Sequence, residues 1–278
     1  MRKTFRDEAL QRKLEQSGFV VTPFLGGEPM DRFVELVNRL LNAGDHDNMY
    51  IAAGYKLTLF NKDPEYKKFL FEALLPTVQA RTDEIAEDYE VYSINIFSKE
   101  PGDRFTDMHC NATLIDESVA TSVSFWIPLD ETDASNSTLE VVEGSHKLVD
   151  PMRSLNHPRI FDSLSQTMRD LFTPLRVRKG ECVVIDDSLI HWTNTNSSDR
   201  TRTALQVVMH PKEMEPHTYY YQPELGRMQK YRSSREFVIN RALFDKPADE
   251  FLIAEFPHTV PSCSEQELVA ALTARRSP

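Results

Sequence analysis

Cysteine is scarce in this chain: three in 278 residues, at positions 110, 182 and 263, with no CxxC spacing. That excludes a disulfide framework and a structural zinc knuckle, and it suits a reducing compartment. Long apolar runs are missing too. No segment approaches the ~18 consecutive apolar residues of a membrane-spanning helix. The first stretch, MRKTFRDEALQRKLEQSG, is charged and amphipathic, without the apolar region of a signal peptide. The expected location is the cytoplasm, with no membrane partner. Positive charge is in short supply, since 32 Lys and Arg against 43 Asp and Glu give a formal net charge of −11. A phosphate backbone or anionic bilayer calls for a concentrated basic face, so no nucleic-acid partner is expected. The densest basic cluster, Arg227 to Arg235, is interrupted by Met228, Gln229 and Tyr231, and reads as a solvated helix face. Internal repeats and low-complexity tracts are absent.

What remains has the balance of an ordinary globular protein, 40% hydrophobic and 27% charged. Residues 4–16 look helical, with Gly18 as the stop, and Phe19-Val20-Val21 is a short strand. Helical spacing of Phe33, Leu36, Val37, Leu40 and Leu41 predicts a second helix over 29–42. A third spans about 64–87, with Pro76 as a possible break and Phe69, Leu70, Ala73, Leu74 and Val78 as its buried stripe. From about residue 88 short β-rich runs take over: 89–98, 121–129, 138–142, 175–177, 181–185 and 202–210. Many short strands behind a helical preface point to a sandwich or barrel flanked by helices. The stretch 150–174, partly helical at 163–172, and the aromatic segment beyond Pro211 are expected to cover its opening. In the 202–210 run, Arg202, Ala204, Gln206 and Val208 share one face, while Thr203, Leu205, Val207 and Met209 share the other. In 89–98, Ser93, Asn95 and Phe97 alternate with Tyr92, Ile94 and Ile96. The mixed faces hold little Lys or Glu and fit a lined cavity as well as a solvated surface.

Three segments carry chemistry: FTDMHCNATLIDE (105–117), NSTLEVVEGSHKL (136–148) and SLIHWTNTNSSDRTRTALQVV (188–208). Positions i and i+2 of an extended segment point to one side, so His109 and Asn111 could converge on a metal while Cys110 faces away. His191 from a distant strand would complete one face of an octahedron and leave the other open for a chelating cosubstrate and dioxygen. A dicarboxylate cosubstrate then needs a cation at its far end. Arg202 offers a planar fork, with Arg200 as the competing candidate, and Thr193 adds a hydroxyl.

Over approximately residues 90–210 these segments, in this order and spacing, resemble the phytanoyl-CoA dioxygenase family. The resemblance implies a mainly β fold with flanking helices, on a double-stranded β-helix (jelly-roll, cupin-like) core. It implies one oxygenase domain over 1–278: a helical N-terminal part to about 87, a core over about 88–211 and a C-terminal extension packed on it. It further implies iron(II) as cofactor, 2-oxoglutarate and O2 as cosubstrates, and oxidation of a small organic substrate, most simply by hydroxylation. In the family the first segment reads His-x-Asp and supplies two iron ligands, and the distal His is followed eleven residues later by the arginine that grips 2-oxoglutarate. His109, His191 and Arg202 stand at those places. Thr193 matches a small hydroxyl residue that touches the cosubstrate, Trp126 an aromatic near it, and Asn95 is a candidate pocket residue. Gly144-Ser145-His146 preserves most of a Pro-Gly-Ser-His turn, which makes His146 a turn residue.

One ligand departs from the pattern. Where the family has Asp, this chain has Asn111, a neutral and weaker oxygen donor. Asn111 could coordinate through its amide oxygen; the pocket could have lost iron chemistry and serve binding or a metal-independent reaction; or the Asn could be an introduced replacement. Asn136-Ser137 and Glu143-Gly144, in place of Asn-Gly and Pro-Gly, alter turns rather than ligands. Substrate choice is expected to lie in 50–65, 150–174 and 211–240.

Overall fold

The computed structural model of the protein describes residues 2–45, 49, 54–156, 169–241, 245–259 and 264–276. Helix α1 (Glu8–Ser17) is capped by the Asp7 carboxylate, which accepts from the N–H groups of Ala9 and Leu10, and ends at Gly18 in the left-handed conformation, φ 81°. Strand β1 (Phe19–Pro23) follows. Helix α2 (Gly27–Ala43) buries Met30, Phe33, Val37, Leu40 and Leu41. After strand β2 (Lys56–Leu57), helix α3 (Pro64–Ile85) starts with Asp63 as cap and a proline in its first turn. Its buried row is Tyr66, Leu70, Leu74 and Val78, one turn apart. Phe69, expected in that stripe, lies off the row and is 54% exposed. Pro76 does not end the helix. Pro76 and Glu72 both face solvent, so water can serve the carbonyl that the proline leaves without a donor.

The strands that follow are β3 (Tyr89–Lys99), β4 (Thr106–His109), β5 (Val123–Pro128), β6 (Leu139–Val141), β7 (Thr173–Pro174), β8 (Glu181–Asp186), β9 (His191–Thr193) and β10 (Arg202–Pro211). A six-stranded sheet has the order β1-β8-β5-β10-β3-β2, and a four-stranded sheet the order β4-β9-β6-β7. All pairings are antiparallel. From β3 to β10 the chain crosses repeatedly between the two sheets, which makes the core a double-stranded β-helix. The N-terminal part contributes the outer strands β1 and β2 of the larger sheet. Beyond β10, strands β11 (His217–Gln222) and β12 (Arg227–Arg232), helix α4 (Arg235–Asn240) and strand β13 (Leu252–Pro257) precede helix α5 (Glu265–Arg276), with β11-β12-β13 forming a third sheet.

Two apolar layers hold this together. Ile94, Ile96, Leu205, Val207 and Met209 from the outer face of the large sheet pack against Phe33, Val37, Leu70, Leu74 and Val78 of the helices. Each such side chain is worth ~1.5–3 kcal/mol when fully buried. A smaller cluster including Trp126, Leu139, Val141, Val183 and Ala204 lies between the two sheets. The alternation expected for β10 holds, with one face in the helical core and the other turned inward. In β3 it breaks at Tyr92. Val208 pairs with Ser93 and Met209 with Val91, so Tyr92 is the extra residue of a β-bulge and joins an interior cluster with Leu114 and Ile115.

Other expectations need correction. The Arg227 to Arg235 cluster lies mainly on β12 rather than on a helix, and Met228, Gln229 and Tyr231 within it are buried. Residues 175–177 form no strand of their own. The short strand is Thr173–Pro174, and Val177 makes an isolated bridge to Thr132. The helix expected at 163–172 falls largely on 157–168, outside the described residues, as does Cys263.

Candidate metal and cosubstrate site

Strands β4 and β9 pair so that His109 stands directly opposite His191. Their ring centroids are 4.3 Å apart. Each imidazole is oriented by its own strand: His109 Nδ1 lies 2.7 Å from the Asp107 carbonyl and His191 Nδ1 2.8 Å from that of Leu189. A carbonyl only accepts, so both Nδ1 atoms carry the proton and both lone pairs sit on Nε2. Burial pushes the His191 pKa down to about 4, which keeps that imidazole neutral at ordinary pH. Two neutral imidazoles so arranged are a donor pair that could hold a first-row divalent ion. Among the described residues no third His, Cys, Asp or Glu joins them. A third protein ligand would have to be a different donor.

The histidines share a pocket with Thr193, Trp126 and Arg202. Arg202 is 3% exposed. Its Nη2 donates to Ser137 Oγ at 3.2 Å, while Nε and Nη1 have no partner among the described residues. Burial pulls its pKa down to about 10. Its guanidinium lies 5.8 Å from the centre of the Trp126 ring. Ser137 occupies the left-handed region, φ 65°, where the family turn has glycine, and its hydroxyl accepts from Arg202. Arg200, the competing candidate, is exposed and points no fork into the pocket.

A cation that sequence reasoning missed lies behind Thr193. Lys99 is paired with Arg202 across β3 and β10 and is fully buried. Its Nζ donates to Thr193 Oγ1 at 2.7 Å and to the Asn194 carbonyl at 3.0 Å. Burial first, and then the Arg202 charge, push its pKa down to about 6. With no carboxylate in ion-pair contact with either among the described residues, this buried arginine and lysine form an environment for an anion. No local signal marks Lys99, because its role comes from a strand partner 103 positions away.

Asn95 and Asn111 are not in this pocket. They line an adjoining chamber of about 160 Å³, with Tyr92, Asp187, His217 and Arg241, and Gln206 of β10 borders both spaces. The Asn111 amide donates to Asp187 Oδ1 at 2.7 Å and to Ser124 Oγ at 3.0 Å, and Ser124 lines the histidine pocket. Burial pushes the Asp187 carboxyl up, and hydrogen bonds from its neighbours, Asn111 and Ser124 among them, act against that rise. Asp187, Ser124 and Arg153, whose Nε donates to the Asn111 carbonyl at 2.9 Å, were also missed. The thiols take no part: Cys110 is pushed up to about 12 by burial and packs with Met108 and Phe105, and Cys182 is buried in the helical core. His146 sits in a short 3-10 turn (Ser145–Lys147) as expected.

A jelly roll with two cross-strand histidines and a buried, unpaired arginine in one pocket defines a class of metal- and anion-binding β-helix proteins. The chain belongs to the phytanoyl-CoA dioxygenase family, whose model matches residues 30–204. It is 24% identical over 229 residues to "Dioxygenase olcK" of Penicillium canescens, a match covering 76% of this chain and 72% of that one. It is 30% identical over 154 residues to "Phytanoyl-CoA dioxygenase 1" of Oryza sativa subsp. japonica, covering 54% of each. Among solved structures, the epimerase SnoN in complex with Fe3+, alpha ketoglutarate and nogalamycin RO superposes with a TM-score of 0.59 at 19% identity, over 75% of this chain and 85% of that one. HygX from Streptomyces hygroscopicus, with nickel and 2-oxoglutarate bound, gives 0.51 at 15% identity, over 74% and 88%. At these identities the likeness to the solved structures is one of fold.

Proposed function

We propose that the protein is a non-haem iron(II), 2-oxoglutarate-dependent oxygenase that oxidises a C–H bond of a small organic molecule. The observation that carries the reading is Arg202: a buried guanidinium with two nitrogens unpartnered among the described residues, in the same pocket as a pair of histidines whose tautomers put the lone pairs on Nε2. An unpaired buried charge is costly, and a carboxylate ligand would relieve it. Bound there, iron(II) with 2-oxoglutarate and O2 would supply the oxidising power, with succinate and CO2 as the spent cosubstrate.

In this reading the residues of the chain do the following. His109 and His191 would hold the metal through Nε2, and Asn111 would add a neutral amide oxygen from the wall of the adjoining chamber. Arg202 takes the distal carboxylate of 2-oxoglutarate in a two-pronged, charge-assisted contact. Thr193 orients that end, with Lys99 behind it adding positive charge, and the Trp126 ring walls the pocket against water. Asn95, Gln206, His217 and Arg241 face the adjoining chamber and meet the substrate. That the relative olcK is a dioxygenase while the fold neighbour SnoN is an epimerase fits a shared fold in which the chamber sets the outcome.

Because no carboxylate joins the histidines among the described residues, the reading to be tested against this one is a jelly roll that binds a small molecule without iron chemistry. Succinate release separates the two. Purified protein given iron(II), 2-oxoglutarate and O2 is expected to form succinate, and chelation of the iron stops it. Iron-independent binding of 2-oxoglutarate with no succinate would favour the second reading.

A further inference from the structure

Asn111 commits nearly all its polar groups to the protein. Its N–H donates to the Asp187 carbonyl at 2.8 Å, and its own carbonyl accepts from Arg153 Nε at 2.9 Å. Its Nδ2 donates to Asp187 Oδ1 at 2.7 Å and to Ser124 Oγ at 3.0 Å. Ser124 in turn donates to the same Asp187 oxygen at 2.7 Å. An ionised Asp187 only accepts, and with it the amide nitrogen faces Asp187 and the oxygen is turned away from it. Oδ1 is the one polar atom of Asn111 that the protein leaves for a ligand. Asp187 itself is 1% exposed, and its Oδ2 has no partner among the described residues. This carboxyl is therefore buried beside the candidate metal site and linked toward it by the Asn111 amide and by Ser124, which lines the histidine pocket.

We propose that Asp187 is a positioning residue that replaces, from one hydrogen bond away, the carboxylate missing from the ligand set: it fixes Asn111 so that the amide oxygen is presented to the metal and polarises that oxygen. The inference rests on the reading of His109, Asn111 and His191 as ligands. A negative group accepting from the amide N–H draws the proton toward itself and shifts electron density onto the carbonyl oxygen, as outer carboxylates do for ligating imidazoles. The negative charge of the site is thus moved outward by one residue rather than lost. It follows that Asn111→Asp alone does not restore an ordinary site, because it sets a second carboxylate at hydrogen-bond distance from Asp187, and like charges there oppose each other. Exchanging both residues, Asn111→Asp with Asp187→Asn, keeps the hydrogen bond, reverses its polarity and puts the charge on the ligand.

The test is cobalt(II) affinity, by anaerobic equilibrium dialysis with the visible spectrum as a second readout, for the wild type, both single variants and the exchange. Thermal melts show which variants fold. Asp187→Asn is expected to weaken cobalt(II) binding about tenfold or more beside Asn111, the scale of outer-shell losses. The same change is expected to tighten binding by a similar factor beside Asn111→Asp. A merely structural role would move affinity in one direction in both backgrounds. That result, or no effect in either, overturns the proposal. If Asp187→Asn alone does not fold, the exchange decides: affinity no tighter than that of Asn111→Asp sinks the idea. Wild type that binds no cobalt(II) at all contradicts the metal site itself, a separate failure.

Discussion

Arg202 presents two nitrogens to no acceptor and sits opposite a second buried cation, Lys99. Both follow from where the residues stand in the strands, yet only Arg202 was legible beforehand, through its spacing from His191. Lys99, Asp187 and Ser124 act through partners 63 to 94 positions away in the chain, which no local motif encodes. The arginine gives the first prediction. Arg202→Leu removes a charge-assisted fork worth about 1.5–3 kcal/mol, so 2-oxoglutarate affinity falls by about one to two orders of magnitude while metal affinity changes far less. Because the change also removes an unpaired buried charge, the unliganded melting temperature should hold or rise; a fall would show that the guanidinium is structural. The lysine gives a pH dependence. Its pKa stands at about 6 in the unliganded protein, and a neighbouring dianion favours the ammonium form and raises it. Binding of 2-oxoglutarate then takes up a proton above about pH 6, and affinity falls as pH rises through that range. Calorimetry in two buffers of different ionisation enthalpy reads the uptake. It should vanish in Lys99→Met, and an uptake of zero in wild type would contradict the placement of Lys99.

Strand β10 divides its labour between faces, and this division was readable from the alternation of its residues. Leu205 and Val207 point to the helices, while Arg202 and Gln206 border the pocket. Leu205→Ala should therefore cost about 2–5 kcal/mol in urea unfolding. Gln206→Ala should stay within about 1 kcal/mol and change turnover instead. Equal stability losses at both positions would contradict the two-faced strand. The neighbouring strand shows where such reading stops. A bulge at Tyr92 turns an aromatic expected on the helical side toward the chamber, and the bulge depends on pairing with β10 rather than on β3's own sequence. Pro76 likewise reads as a break from its type alone, and survives in α3 because its face of the helix is wet.

Across the whole molecule, the family match ends at residue 204, and the sheet β11-β12-β13 with α4 lies beyond it. His217 and Arg241 from that part line the chamber, and the His217 Nε2 and Arg241 Nε atoms are buried without partners among the described residues. The shared core thus carries the histidines and Arg202, and the C-terminal part carries Arg241 Nε, a chamber donor that awaits a polar acceptor. In the proposed function that acceptor belongs to the substrate, whose identity the motifs never touched. With a turned-over substrate in hand, Arg241→Ala should raise its KM by more than it raises that for 2-oxoglutarate; an equal rise in both would contradict this division. The central claim, that His109, His191 and Arg202 form one metal and cosubstrate site, is tested most directly by visible absorption on anaerobic addition of iron(II) and 2-oxoglutarate. The account predicts a metal-to-ligand charge-transfer band in wild type that is absent from His191→Ala and needs far more 2-oxoglutarate in Arg202→Leu. A band of full strength in His191→Ala, or none in metal-loaded wild type, would contradict it.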